Sequence, residues 1–237
     1  VMMTVEAIMR ALNGKLVEPL AIDAPTMLPA VLPTGFGARL ASVWRSFRDQ
    51  RAQARAMRGR RVTRFGSLDA TRFGVVGVRL HVLPVGMDEL KRASIARGCT
   101  VTALVLAALV EAFGRRVNGE DEAGRDAVAI RLSVDLRKYF PKGRAPTFGN
   151  YVGTFLVYAG AVDAGRALAT VSAQMREGLE RFERKLMSYP LLLAELYAAI
   201  GRKMFALAAI ASKRKGTLPA MTCHYSNLGN LDGLNAK

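Results

Sequence analysis

The sequence predicts an α/β fold. Helix-like and strand-like segments alternate along its 237 residues, which is the order of elements found in mixed α/β proteins. Apolar residues make up 51% of the chain and charged residues 23%, a balance typical of folded globular proteins. A chain of this length can bury a sizeable core, either as one large domain or as two small ones.

The helices are predicted from apolar side chains that recur at helical spacing. Gly14 is a helix stop after residues 4–12, and Gly98 is a stop after residues 88–97. Thr100 is placed to cap the helix that begins immediately after it. The predicted helices cover residues 4–12, 38–58, 88–97, 101–117, 164–185 and 190–213.

Segments rich in β-branched residues and other strand formers lie between these helices. Residues 19–37 contain four prolines and no helical period, so they are predicted to form a connector. Residues 118–126 are an acidic, glycine-containing loop. The predicted strands are residues 74–85, 127–136, 150–159 and 219–225.

The formal net charge of +16 is concentrated in part around the helix at residues 38–58, whose only opposing charge there is Asp49. Such a basic run is typical of contact with nucleic acid, anionic lipid or a phosphorylated ligand, and equally of a solvated helix face. One side of the same helix carries Leu40, Val43, Trp44, Phe47 and Ala54. The basic residues are Arg45, Arg48, Arg51, Arg55, Arg58, Arg60, Arg61 and Arg64.

The sequence also favours a reducing cellular setting. No apolar run reaches the roughly 18 residues that a membrane helix needs. The first residues lack the basic start and long apolar centre of a signal peptide. Cys99 and Cys223 form no CxxC motif and no disulfide framework. These observations predict a cytoplasmic protein.

Residue chemistry alone does not reveal a complete active site. His81 lies in a β-rich stretch and His224 at the end of the last predicted strand, and neither has metal-ligand spacing. His224 and Ser226 would share a face of a regular strand, which raises a nucleophile–base pair, but no GxSxG surrounds the serine. Neither a phosphate-binding P-loop nor a GxGxxG fingerprint is present.

Three segments together resemble a known family. They are CTVTALVLAALVEAF, RLSVDLRKYFP…FGNYVGTFLV and CHYSNLG, within residues 74–229. In their order and spacing they resemble the CoA-dependent acyltransferase superfamily. This superfamily includes the condensation domains of peptide synthetases, wax-ester and diacylglycerol acyltransferases, alcohol acetyltransferases and polyketide-associated acyltransferases.

The resemblance implies a chloramphenicol-acetyltransferase-like fold with two lobes and an active-site tunnel between them. Residues 1–36 would be the end of the first lobe and a connector, and residues 37–237 a second lobe that is incomplete at its C-terminal end. The family's catalytic motif is HHxxxD, whose second histidine is the general base that activates the acceptor. This sequence has no such motif, so we expect an internal fragment whose catalytic motif lies outside it.

The resemblance also implies roles for individual residues. Arg137, at a strand end, would pair with the aspartate of HHxxxD, because a planar guanidinium binds a carboxylate through two hydrogen bonds. Gly149 and Asn150 would let the next strand turn back into the protein, since both residue types tolerate positive φ. The other positions implied for the tunnel or the turn are Asp135, Gly153, Ser226, Asn227 and Gly229.

Two departures narrow the branch of the family. Thr102 and Ala103 stand where wax-ester and diacylglycerol acyltransferases tend to carry Asn-Asp, and GTFLVYAG lacks the asparagine-containing segment and arginine of condensation domains. What remains is an O-acyltransferase that uses acyl-CoA or a carrier-protein thioester and a hydroxylated small-molecule or lipid acceptor. No bound cofactor or metal is implied.

Two other readings stay open. One is a non-catalytic, acyltransferase-like module, because the chain contains no base of its own. The other is a basic protein that binds nucleic acid or an anionic membrane through residues 45–64. Peripheral membrane contact is compatible with an acyltransferase, whereas nucleic acid is the less favoured partner.

Overall fold

The protein is described by a computed structural model for residues 13–14, 26–56, 60–62, 81–118, 126–144, 151–160, 164–201, 203–204, 206–207, 210–211 and 221–226. Within these residues it has six α-helices and a mixed sheet three strands wide, so the predicted α/β class is confirmed. The predicted helix at residues 4–12 lies outside the described residues.

The sheet is built around one central strand, β2 (Asp126–Asp135). On one side β2 pairs antiparallel with β3 (Val152–Gly160). On its other side it pairs in parallel with two short strands, β1 (Arg61–Val62) and β4 (Cys223–Tyr225), which follow one another along that edge. Because β2 and β4 run in the same direction and β3 runs against them, the ends of β2 and β4 and the start of β3 lie together.

One face of the sheet is the hydrophobic core. Alternate β2 residues, among them Ile130 and Leu132, are buried on the side of α4 (Val101–Asn118), and α5 (Ala164–Glu183) packs beside α4 and against β3. Thr100 caps α4 as predicted, because its Oγ1 accepts a hydrogen bond of 3.1 Å from the Ala103 N–H. The largest fully buried apolar side chains are Leu106, Val110, Val128, Ile130, Leu136, Val157 and Val171.

Helix α5 also contacts the outer edge of β3. The Tyr158 N–H donates to Gln174 Oε1 at 2.9 Å, and Gln174 Nε2 donates to the Tyr158 carbonyl at 2.5 Å. The side-chain amide therefore satisfies both backbone groups of one residue on the edge that has no strand neighbour among the described residues.

The remaining helices are α1 (Leu28–Val31), α2 (Phe36–Ala56), α3 (Met87–Ala96) and α6 (Ser188–Ile200). Among the helices in the described residues, none is by itself long and apolar enough to cross a membrane. Helices α3 and α4 pass that test only together, across a bend of 89°.

Lys185, in the turn between α5 and α6, holds several of these helices together. Its backbone lies in the left-handed region at φ 59°. Its ammonium donates hydrogen bonds to the carbonyls of Pro29, Ala30 and Tyr139. Burial lowers the pKa of Lys185. The Lys185 carbonyl in turn accepts a hydrogen bond of 2.7 Å from Ser42 of α2.

Three sequence predictions of element boundaries were wrong. Residues 81–85 of the predicted strand 74–85 form no strand and are exposed. Pro84 has no N–H with which to hydrogen-bond a neighbouring strand. Residues 74–80 lie outside the described residues. The single long helix predicted at 190–213 is interrupted: α6 ends at Ile200, where Gly201 adopts φ 102°, and the described residues 203–204, 206–207 and 210–211 are helical again. Of the predicted strand 219–225, only Cys223–Tyr225 pairs among the described residues.

Helix α2 buries only part of the apolar side that its sequence pattern favours. An amphipathic helix ordinarily buries its apolar side. Here Phe47 is half-buried against Tyr189 of α6 and the fully buried residues are Ser42 and Ser46, whereas Leu40 and Trp44 are exposed. The two serines bond to the α5–α6 turn and to α6, with Ser46 Oγ accepting from the Tyr189 N–H at 3.0 Å.

Candidate functional site

Polar side chains occupy the sheet face that is opposite the core. Because side chains alternate along a strand, Arg131, Ser133 and Asp135 of β2 point away from α4 and α5. Thr154 of β3 pairs with Ser133, and His224 of β4 pairs with Arg131. One face of the sheet therefore presents a guanidinium, an imidazole, a carboxylate and two hydroxyls.

The closest contact on this face joins Ser133 and His224. The distance between Ser133 Oγ and His224 Nε2 is 2.6 Å, a strong hydrogen bond. It forms because β4 lies parallel to β2 with His224 beside Arg131, so the imidazole reaches the serine two residues further along. The partner suggested by the sequence, Ser226, instead follows β4 and is exposed.

Sequence reasoning missed Ser133. Its position in the alternation of the predicted strand 127–136 could have marked it as a polar, outward-facing residue. Its partner could not have been found in that way, because Ser133 and His224 are 91 residues apart in sequence and meet only through strand pairing.

Arg137 lies at the strand end, as expected, in a 3-10 helix at Leu136–Tyr139. Its Nη1 forms an ion pair of 3.3 Å with Asp135 Oδ1, which also accepts from the Arg137 N–H at 3.0 Å. The guanidinium lies 5.7 Å from the centre of the Tyr151 ring, within reach of a cation–π interaction. Arg137 is thus held at the edge of the polar face by residues of β2 and of the segment that leads into β3.

The ion pair between Asp135 and Arg137 is weak. The Asp135 side chain is 60% exposed and that of Arg137 is 34% exposed. Ion pairs in such solvated positions contribute roughly 0–1 kcal/mol. Arg137 could therefore exchange Asp135 for another carboxylate partner at a small loss of free energy. The pairing of Arg137 with an HHxxxD aspartate stays a prediction.

Gly153 has a packing role in the structure. It is buried in β3, and a Cβ at this position would lie 2.6 Å from Phe182 Cε1 and 2.9 Å from Leu136 Cδ2. Both distances are shorter than real contacts, so only glycine lets α5 approach the sheet at this point. The other implied positions Gly149, Asn150, Asn227 and Gly229 lie outside the described residues.

A cleft of about 270 Å³ continues from the polar face. Arg131 and Thr154 form its floor, and the half-buried Arg131 makes no hydrogen bond or ion pair with the described residues. In the cleft wall, Asp49 Oδ2 accepts from Arg181 Nε at 3.0 Å. The lining is completed by α2, the neighbouring β3 residues and the α5–α6 turn: Ser46, Gln50, Gln53, Phe155, Leu156, Leu186, Met187 and Pro190.

Burial dominates the electrostatics of this cleft. It raises the pKa of Asp49, and the positive charge of Arg181 opposes that rise. Across the sheet, burial also raises the pKa of the Cys223 thiol, which makes it a weak nucleophile. The described residues contain no group of three or more histidine, cysteine or acidic side chains that could hold a metal ion.

No protein-family model, curated protein or solved structure matches the chain. Its function is therefore inferred from its residues and their geometry.

Proposed function

We propose that this chain is part of an acyltransferase with a chloramphenicol-acetyltransferase-like, two-lobed fold. It would move an acyl group from a CoA or carrier-protein thioester to a hydroxylated small-molecule or lipid acceptor, in the cytoplasm. The acceptor oxygen forms the new ester bond as the C–S bond breaks, and its proton passes to the base, which gives it to the departing thiolate. The general base is expected from an HHxxxD motif outside residues 1–237.

One observation supports this proposal above the others. The three segments that carry the resemblance are neighbours in the fold. CTVTALVLAALVEAF forms most of α4, which packs against β2, and CHYSNLG contributes β4, which pairs with β2. Strand β4 is far from β2 in sequence, and a tunnel wall requires these segments to be neighbours. The polar face and the cleft share Arg131 and Thr154, and Thr154 is the strand partner of Ser133, so a substrate that extends from the cleft along this face would reach Ser133 and His224.

The weak ion pair with Asp135 is compatible with a role of Arg137 in positioning the catalytic loop. A carboxylate beside a catalytic histidine must be fixed, and a guanidinium that is already oriented by Tyr151 can do this at low cost. Arg137 would then not touch the substrate. It would act by holding the loop that carries the base.

The first test is to read the coding DNA before Val1, where HHxxxD is expected within a few codons. The protein that includes this motif is then assayed for thiol release from an acyl-CoA, with and without a long-chain alcohol. Arg137→Gln should lower kcat by roughly 100-fold, because misplacing a catalytic group by about 1 Å has effects of that size. Arg144→Gln, at an exposed position in the following loop, is the matched control.

A positioning role predicts that Arg137→Lys restores only part of the rate, since lysine cannot pair through two parallel hydrogen bonds. KM for acyl-CoA should stay within about twofold, because the loss lies in transition-state stabilisation. An unchanged kcat in Arg137→Gln, or a rate of thiol release that is the same with and without the alcohol, would contradict the proposal. An upstream sequence without paired histidines would favour the non-catalytic module.

The Ser133–His224 hydrogen bond favours a second candidate, hydrolysis of an ester or thioester by this chain alone. His224 would take the Ser133 proton as the hydroxyl attacks the carbonyl, return it to the leaving group, and then activate water to free the acid. Thiol release by residues 1–237 without alcohol, lost in both Ser133→Ala and His224→Gln, is the expected sign. No release by the unmodified chain would exclude this candidate without affecting the first.

A further inference from the structure

Helix α2 exposes a row of large apolar side chains. Phe36, Leu40 and Trp44 are four residues apart and are 84%, 63% and 59% exposed. At about 100° per residue they cover an arc of roughly 80° on the helix surface. A continuous row of this kind, one that includes two aromatic rings, marks a contact surface rather than scattered exposure.

Two kinds of contact attach α2 to the rest of the protein and fix its rotation. Ser42 and Ser46 are buried and hydrogen-bonded, and Asp49 turns inward to Arg181. Phe47, on the apolar side, is half-buried and its ring lies edge-on to the Tyr189 ring of α6 at 5.1 Å. The first half of the apolar side, from Phe36 to Trp44, is left exposed.

Arginines border the apolar row. All of them are exposed, and at about 100° per residue they occupy the arc from roughly 60° to 180° beyond Phe36. The only acidic residue of α2 is Asp49, which is turned to the opposite side. The basic arc consists of Arg51, Arg55, Arg48 and Arg45.

Helix α6, which contacts α2, and the residues after it also expose apolar side chains. Ser188 of α6 lies beside Ser42 of α2 at 3.1 Å. The exposed side chains lie on both sides of the break at Gly201. They are between 49% and 59% exposed and are Leu196, Ile200, Met204, Leu207 and Ile210.

We propose that the apolar row and the basic arc of α2 dock on a membrane surface with anionic headgroups. Apolar and aromatic side chains beside a row of arginines are what an interfacial helix needs, lying in the plane of the bilayer. Nucleic acid would match the arginines but offers no apolar surface for Leu40 and Trp44. A second copy would bring the same arginines against these, and each chain already carries a net charge of +16.

Trp44 is the only tryptophan in the sequence, so its fluorescence reports on this surface directly. The 237-residue chain is titrated with vesicles of equal parts phosphatidylglycerol and phosphatidylcholine, and with vesicles of phosphatidylcholine alone. We expect a saturable shift of Trp44 emission to shorter wavelength with the anionic vesicles only. The shift should weaken as salt is raised, because salt screens the headgroup charge.

Variants separate the two parts of the surface. Arg48→Gln with Arg55→Gln should lower the partition coefficient by roughly 30-fold, since each basic residue near an anionic surface contributes about fivefold. Arg92→Gln with Arg97→Gln, at exposed positions of α3, removes the same charge elsewhere and should leave binding unchanged. Leu40→Asn should weaken binding while retaining Trp44, and far-ultraviolet circular dichroism checks that each variant is folded.

Three results would overturn the proposal. The first is no emission shift with anionic vesicles. The second is an equal loss of binding in both double arginine variants, which would show dependence on net charge alone. The third is a concentration-dependent dimer without vesicles that Leu40→Asn converts to monomer, which would assign the surface to a second copy. The proposal is independent of the acyltransferase proposal, since no step of the test involves acyl transfer.

Discussion

The sheet with α4 and α5 packs through apolar side chains, whereas α2 joins the rest of the protein largely through hydroxyls and an ion pair. Ile130, Leu106 and Val171 are fully buried in the first region. In the second, Ser42 bonds to the Lys185 carbonyl and Asp49 to Arg181, one aromatic ring, Phe47, contacts Tyr189, and Trp44 is exposed. Burial of apolar area stabilises the first region, and the second depends more on directional contacts that water can replace.

The largest effect that distinguishes the regions should come from truncating leucines. Leu106→Ala removes a fully buried side chain from the core and should lower the free energy of unfolding by about 2–5 kcal/mol. Leu40→Ala, the same change on the exposed side of α2, should change it by less than about 0.5 kcal/mol. Urea denaturation followed by circular dichroism measures both. Equal losses would show that the apolar side of α2 is buried in solution.

A smaller effect tests how closely α5 approaches the sheet. Gly153→Ala places a methyl group against Phe182 and Leu136 and should destabilise the protein by about 1–3 kcal/mol. Gly160→Ala is the matched control, because nothing lies within 4 Å of a Cβ at that end of the same strand. If the two variants lose the same stability in urea, the close packing between α5 and β3 is refuted.

The smallest effect should appear in the polar region as a dependence on pH. The pKa of Asp49 is raised above 3.8 by burial, so the folded state holds its proton more tightly than the unfolded state. The stability that this provides is present below pH 3.8 and is lost as pH rises through the higher folded pKa. Asp49→Asn should remove this dependence.

The measurement for Asp49 is the thermal midpoint of both proteins between about pH 3 and 6, where a carboxyl with a raised pKa titrates. The thermal midpoint of the unmodified protein minus that of Asp49→Asn should fall as pH rises. Asp88→Asn, at a side chain that is 90% exposed, is the control. A difference that instead grows with pH would mean that the Arg181 charge outweighs burial at Asp49.

The sequence was most informative where local patterns and packing agree. The helix predicted at 101–117 is Val101–Asn118, and the strand predicted at 127–136 is Asp126–Asp135. In these elements the apolar period, the Thr100 cap and burial all favour one result. The position of Arg137 at the end of β2 could be predicted for the same reason, because the end of the strand could be predicted.

It was least informative where contacts between distant residues decide. The exposed apolar side of α2 follows from serines that bond to residues about 143 positions away. The Ser133–His224 contact depends on the register of two strands, which no local pattern encodes. The early end of α6 follows from the conformation of a single glycine, Gly201.

The contact of Gln174 with Tyr158 has a consequence for how this protein behaves at high concentration. An outer strand with unpaired backbone groups is a template on which strands of other molecules can add, and this leads to fibrous aggregates. By occupying the N–H and the carbonyl of Tyr158, near the end of β3, the Gln174 amide takes the place of an incoming strand at that point. Within the part of the chain that the structure describes, one side chain on a helix thereby hinders growth of the sheet beyond β3.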